Sequence, residues 1–247
     1  MNKKISIVTV TFNASKTLEQ TIQSIISQTY TNIEFIIIDG ASSDDTINII
    51  NKYSNKITHW ISEPDNGIYD AMNKALKLAT GDFLIFMGAD DVFFKPETIE
   101  KMAKQMINLN SVYYGNVILK GLNKIHNGKF NKIKWGTTNI SHQAIFYPQK
   151  VYKSYEYNTK YKIYADYAYN LTLLKDKVNF IYINEIITLY NMEGISARNT
   201  TDKSFHKDYK ELLITSVGRP AYYIGMCIRN LYYIKESIVN IIRRHKH

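Results

Sequence analysis

The feature that most constrains this chain is a repeated alternation of apolar runs with helical spacings along its first third. "ISIVTVTF" (5–12), "IEFIIID" (33–39) and "FLIFMG" (83–88) are short, nearly continuous apolar runs bounded by turn residues. That is the pattern of strands buried on both faces. "ITHWIS" (57–62) reads as a further, weaker strand. Between the strands, Leu18, Ile22, Ile25 and Ile26 recur at helical spacing, and so do Met72, Ala75, Leu76 and Ala79, with Gly81 as the stop. Asp44 or Asp45 can cap the helix that opens "TINIINKYS". The alternation predicts an α/β fold with a mostly parallel central sheet and helices on both faces. In such sheets ligands bind beyond the carboxyl ends of the strands. Asp39 and the pair Asp90–Asp91 both fall at such ends, so they can share one crevice.

Beyond about residue 110 the pattern changes. "SVYYGNVIL" and "NKIHNGKF" suggest a hairpin, "ISHQAIFYP" a strand, "ADYAYNLTLLKD" a short helix and "NFIYINEIITLYN" another strand. We expect one domain over 1–218, with a nucleotide-binding half (1–110) and an acceptor-side half (111–218), followed by a basic amphipathic segment (219–247). In that last segment Ile224, Ile228, Leu231, Ile234, Ile238 and Ile242 form an apolar stripe at helical spacing. Six Lys/Arg face a single acid there, Glu236. Such a helix either packs on the domain or lies on an anionic membrane surface.

Composition narrows the partners. The 247 residues carry a formal charge of +9, which favours an anionic partner. Nucleic acid is the weakest choice, because no stacking motif accompanies the charge. A single cysteine, Cys227, rules out an internal disulfide and a cysteine-based zinc site. The opening "MNKKISIVTVTF" reads as a first strand rather than a signal peptide, and no run of about 20 apolar residues predicts a membrane span. The expected location is cytoplasmic, peripheral on the inner face of the membrane. The sequons at Asn13 and Asn170 then carry no meaning.

Adjacent carboxylates after a buried strand invite a hard cation. Mg²⁺ or Mn²⁺ often binds through one or two carboxylates and substrate phosphates. The plainer reading of Asp90–Asp91 is a turn that caps the following helix, "KPETIEKMAKQM". Asp39 likewise is either a ligand acceptor or the start of an ordinary Asp-Gly turn. Adjacent carboxylates cannot flank a glycosidic bond as a retaining hydrolase requires.

Taken in order, "TFNASKTLEQ", "DGASSDDT", "NGIYDAMNKAL" and "GDFLIFMGADD" resemble the inverting glycosyltransferases of family 2, with the GT-A fold. The resemblance covers about residues 5–95. Downstream, "ISHQAIFYP", "YKIYADYAYNL" and "GIS" look like the bacterial surface-polysaccharide branch. It implies that Thr11, Asn13 and Asp39 line a nucleobase pocket, and that Asp65, Asn66 and Lys74 lie near base, ribose or phosphates. Asp90 would bind the ribose, Asp91 the metal, and Asp166 would be the catalytic base, with Glu193 in reserve. His142 and Gln143 would contact donor or acceptor sugar. Two departures stand out: Gly88 replaces a frequent Asn, and Glu193 a frequent Gly.

The expected function is transfer of a single sugar from a nucleotide-diphosphate sugar to a lipid-linked saccharide in O-antigen, capsule or exopolysaccharide assembly. The Gln-x-x-Arg-Trp motif of processive synthases is absent. The competing readings are a sugar nucleotidyltransferase, which usually needs a Gly-rich basic loop that "TFNASKTLEQ" lacks, and a non-catalytic nucleotide-sugar-binding module.

Overall fold

A computed structural model describes residues 2–191 and 201–244. The apolar runs become β1 (Ile5–Thr11), β2 (Ile33–Asp39), β3 (His59–Ser62) and β4 (Phe83–Gly88), ordered β3-β2-β1-β4 and parallel throughout. Successive side chains point to opposite faces of a strand, so each run divides into two sets. Ile5, Ile7, Phe35, Ile37, Phe83 and Ile85 pack under α1 (Leu18–Ile26), α2 (Thr46–Lys52) and α4 (Thr98–Gln105). Val8, Val10, Ile36, Ile38, Leu84 and Phe86 pack under α3 (Ile68–Leu78) and the later helices. Both faces of the sheet are therefore core, which is why the strands carry almost no polar positions.

Apart from Thr9 in the middle of β1, the exceptions lie toward the two ends of the strands. At the amino edge, buried Glu34 accepts from Ser6 Oγ (2.6 Å), Lys4 Nζ (2.7 Å), and the Thr80 N–H (2.7 Å) and hydroxyl (2.6 Å). These bonds tie β1, β2 and the end of α3 together.

Past β4 the sheet becomes mixed. β5 (Val92–Phe93) and α4 lead to β6 (Val112–Leu119), which turns back as β7 (Lys124–His126) in the expected hairpin. α5 (Lys132–Trp135) follows. Then β8 (Ile145–Pro148) inserts antiparallel between β4 and β6. α6 (Gln149–Tyr152) and α7 (Ala165–Lys175) precede β9 (Phe180–Tyr190), which is parallel to β6 and antiparallel to β5. The sequence pattern carries no signal for strand direction here, because β8 is only four residues long. At Gly115 a side chain would strike the Glu185 carbonyl, and the β6–β9 register slips there.

α8 (Lys203–Val217) is capped by Asp202 and ends at Gly218, whose φ of 90° a side chain would resist. α9 (Arg219–Arg244) then docks on α5. The contact is backbone to backbone: a Cβ on Gly225 would lie 2.9 Å from the Gly136 carbonyl carbon. Ala221 and Tyr222 are buried on this side, and Arg229 stacks over the Tyr209 ring at 4.9 Å. Among the described residues, the first part of the apolar stripe points the other way, with Ile224, Ile228 and Leu231 exposed beside Tyr223.

Candidate active site

The carboxyl ends of β2, β1 and β4 lie side by side. Thr11 pairs with Asp39, and Val10 with Gly88, so the three strand ends span about 10 Å at ordinary strand spacing. Asp39 is fully buried. It accepts from the Ser42 N–H (2.9 Å), Ser42 Oγ (2.5 Å) and Ser62 Oγ (2.7 Å). Asn13, in the left-handed region at φ 49°, accepts from the Ser43 N–H (2.9 Å) while its own N–H donates to Ser42 Oγ. Asp44 caps α2 through Thr46 and also accepts from the Ser15 N–H. The loops after β1 and β2 are thus stitched together by short polar side chains. The buried Thr11 hydroxyl has no hydrogen-bond partner among the described residues. Phe12, beside it, is 64% exposed and lies against Gly40.

Asp65 meets the same strand ends. Its Oδ1 accepts from the Gly67 N–H (2.8 Å), and its Oδ2 lies so close to Gly40 that a Cβ there would sit 2.5 Å away. Gly40 is required for that approach. Asn66 is exposed, its N–H on Asp70. Lys74 is engaged by the Pro64 carbonyl (2.9 Å) and Glu63 (2.8 Å), which places it at the outer edge of the turn.

Asp90 and Asp91 follow β4, and neither caps α4. Asp91 is 1% exposed, with Oδ1 accepting from the Asn191 N–H (2.9 Å) and Oδ2 from Gln143 Nε2 (2.8 Å). The Asn191 side-chain amide reaches Asp90 at 3.3 Å. Burial first, then the charge of Asp90, pushes the Asp91 carboxyl up to about 6, against those hydrogen bonds and nearby His142. Gly88 is small for a reason: a Cβ there would lie 2.6 Å from Asp91 Oδ2 and 3.0 Å from Asp90 Oδ1. A divalent cation suits this donor set. Two carboxylates sit together, one almost wholly buried, and the second lone pair of each Asp91 oxygen is free of these donors. No group of three or more His, Cys, Asp or Glu able to hold a metal occurs among the described residues, so oxygens of a bound diphosphate would have to complete the shell.

Asp166 occupies the first turn of α7, where the helix dipole favours an anion. Its Oδ1 accepts from the Tyr167 N–H (2.8 Å) and Tyr69 Oη (3.2 Å), and its Oδ2 from Asn139 Nδ2 (3.0 Å). His142 Nδ1 stands 3.7 Å from Oδ2. Tyr69 opens α3, and its single hydroxyl proton is shared between Asp166 and the nearer Ile163 carbonyl (2.5 Å), joining the Asp65 turn to α7. The 3₁₀ turn 142–144 joins the rest: His142 faces Asp166 and the next residue, Gln143, holds Asp91. The strand pairing thus sets Thr11 and Asp39 beside Gly88, just ahead of Asp90 and Asp91. Asn13, Asp65 and Asn66 lie on the loops after β1 and β3, and Lys74 binds Pro64 and Glu63. Gln143 and His142 link Asp91 to Asp166. Glu193 and the "GIS" loop lie outside the described residues.

The family model for glycosyl transferase family 2 matches residues 6–180. The chain is a family 2 glycosyltransferase. This glycosyltransferase is 31% identical over 210 residues to the PGL/p-HBAD biosynthesis glycosyltransferase of Mycobacterium bovis, covering 82% of each chain. It is 26% identical to the Escherichia coli UDP-Glc:alpha-D-GlcNAc-diphosphoundecaprenol beta-1,3-glucosyltransferase WfgD, over 98% of this chain and 94% of that one. Its fold matches S. aureus TarS 1–349 in complex with UDP-GlcNAc (TM-score 0.67, 18% identity, 86% of this chain and 66% of that one). It also matches the mannosyltransferase PcManGT from Pyrobaculum calidifontis in complex with GDP-Man and Mn²⁺ (TM-score 0.63, 14% identity, 91% and 73%). The glycosyltransferase has the GT-A fold the resemblance implied.

Sequence reasoning on the glycosyltransferase missed Tyr69, Asn139, Asn191 and Phe12. Phe12 stood in plain view inside "TFN". Asn139 sits in a loop whose spacing carries no periodic signal, and only the packing of α7 against that loop brings it to Asp166.

Proposed function

We propose that this enzyme transfers a single sugar, with inversion, from a nucleotide-diphosphate sugar to a lipid-linked saccharide in bacterial surface-polysaccharide assembly. The observation that carries the reading is the 142–143 step: adjacent residues link the candidate base to the candidate metal carboxylate. A one-step displacement needs that proximity, because the acceptor hydroxyl and the leaving diphosphate lie on opposite sides of the same anomeric carbon.

In this reading Thr11, Asn13, Asp39, Asp65 and Asn66 form the nucleoside side, with the exposed Phe12 ring offered to the ligand. Asp90 binds the ribose, and Asp91 holds Mg²⁺ or Mn²⁺. When bound, the cation supplies Lewis-acid neutralisation of charge growing on the diphosphate. Asp166 takes the acceptor proton, a contribution of roughly 10²–10⁴-fold. His142 and Gln143 approach the sugars. WfgD, by its name, acts on a diphosphoundecaprenol-linked acceptor, which supports a lipid-linked one here. No helix among the described residues is long and apolar enough to cross a membrane. The exposed stripe of α9 instead supports peripheral attachment to the inner face of the cytoplasmic membrane.

The test is thermal shift with UDP-, GDP- and dTDP-sugars, with and without Mn²⁺, followed by assay of Asp166→Asn. One diphosphate sugar should stabilise the protein only with metal. Asp166→Asn should keep that stabilisation and lose transfer by at least about 100-fold. Stabilisation by triphosphates alone would instead point to nucleotidyl transfer.

A further inference from the structure

A chain of side chains runs from Asp166 into the centre of the sheet. Asn139 Nδ2 donates to Asp166 Oδ2 at 3.0 Å. Asn139 Oδ1 accepts from Asn170 Nδ2 at 2.9 Å. Asn170 Oδ1 accepts from Tyr147 Oη at 2.9 Å. Asp166 and Asn170 are four residues apart on α7, so they share one helix face. Asn139 clips across that turn with both ends of one amide.

The direction of this chain is fixed at its carboxylate end. A carboxylate only accepts, so Asn139 presents its NH₂ to Asp166 Oδ2 and its oxygen to Asn170. Asn170, which is fully buried, then gives its NH₂ to Asn139 and turns its own oxygen to Tyr147. Tyr147 lies on β8, between β4 and β6, is 1% exposed, and closes the chain by donating its hydroxyl proton to Asn170 Oδ1.

We infer that the Tyr147–Asn170–Asn139 chain positions the Asp166 carboxylate, fixing the orientation of its plane toward the acceptor. Asn139 is a positioning residue, because it touches Asp166 and not the reacting atoms. The consequence follows from geometry. With Oδ2 held by Asn139 and Oδ1 by the Tyr167 N–H and Tyr69, the carboxyl plane has no free rotation about χ2. Loss of the Asn139 donor releases one side only, and a displacement of about 1 Å at a reacting group can cost roughly 100-fold.

This inference rests on the base role proposed for Asp166, and the experiment separates the two. Release of nucleoside diphosphate is measured with the stabilising sugar of the thermal-shift panel, Mn²⁺, and water as acceptor. Asn139→Ala should lower kcat roughly tenfold to a hundredfold. Donor KM should stay near wild type, and the melting temperature should fall only by the few degrees expected for the Asn170 amide left unpaired. Asn139→Asp keeps the shape but cannot donate to a carboxylate, and it should do no better than alanine. Tyr147→Phe should give a smaller loss of kcat. The double variant Asn139→Ala/Tyr147→Phe should be no slower than Asn139→Ala alone, because both act through one chain.

Wild-type kcat in Asn139→Ala would overturn the inference, as would losses that multiply in the double variant. A loss of kcat explained by unfolding of the variant at the assay temperature would do the same. If Asp166→Asn itself retains turnover, the base role fails. If Asp166→Asn is inactive while Asn139→Ala is normal, only the positioning chain fails.

Discussion

At the scale of single residues, chemistry and stability pull in opposite directions at Asp91. Its carboxylate is buried beside a second carboxylate and takes its hydrogen bonds from the neutral amides of Asn191 and Gln143. Removing the charge relieves a strain that only a cation would otherwise offset. Asp91→Asn should therefore raise the melting temperature in EDTA by a few degrees and abolish Mn²⁺-dependent binding of the nucleotide sugar. Unchanged melting together with intact binding would remove Asp91 from the metal site. Asp39, Asp90 and Asp91 were visible in the sequence because strand ends are legible there. Their pairings were not: Gln143, expected at a sugar, and Asn191 meet Asp91 across 52 and 100 residues of chain. Polar partners of that kind follow from packing and leave no periodic trace.

At the scale of elements, α9 is the instructive case. Its apolar stripe was legible from spacing alone, but which face would dock was not. Two glycines decide it, since Gly225 lets the helix backbone rest on Gly136 and turns the stripe outward. Ile228→Asp and Leu231→Asp should leave the melting temperature unchanged. They should weaken binding to phosphatidylglycerol-containing vesicles roughly tenfold or more, in a salt-sensitive manner. Gly225→Leu should do the reverse, lowering stability because its side chain would meet the Gly136 backbone. Unaltered vesicle binding in both aspartate variants would show that the exposed face is not the one that meets lipid.

At the scale of the whole molecule, the parallel half was readable and the mixed half less so. Strands buried on two faces announce themselves, whereas β8 owes its direction to contacts with β4 and β6. The buried acid Glu34 holds the opposite edge of the sheet from the candidate site. Burial alone would raise its carboxyl, yet bonds from Lys4, Ser6 and Thr80 outweigh this and hold it at about 2. The folded value lies below the unfolded one, so the unfolded chain takes up the proton first. The resulting stability is complete above about pH 5 and is lost as pH falls toward 2, about 3 kcal/mol in all. Glu34→Gln should flatten that part of an acid unfolding curve, and an unchanged curve would exclude the role. The seam between α9 and Gly136 carries a further consequence. Gly136 lies three residues before Asn139, on the loop that steadies the base. With no side chain between helix and loop there is little give. A helix resting on lipid would then act as a spacer, setting how far above the bilayer a sugar must reach to be glycosylated.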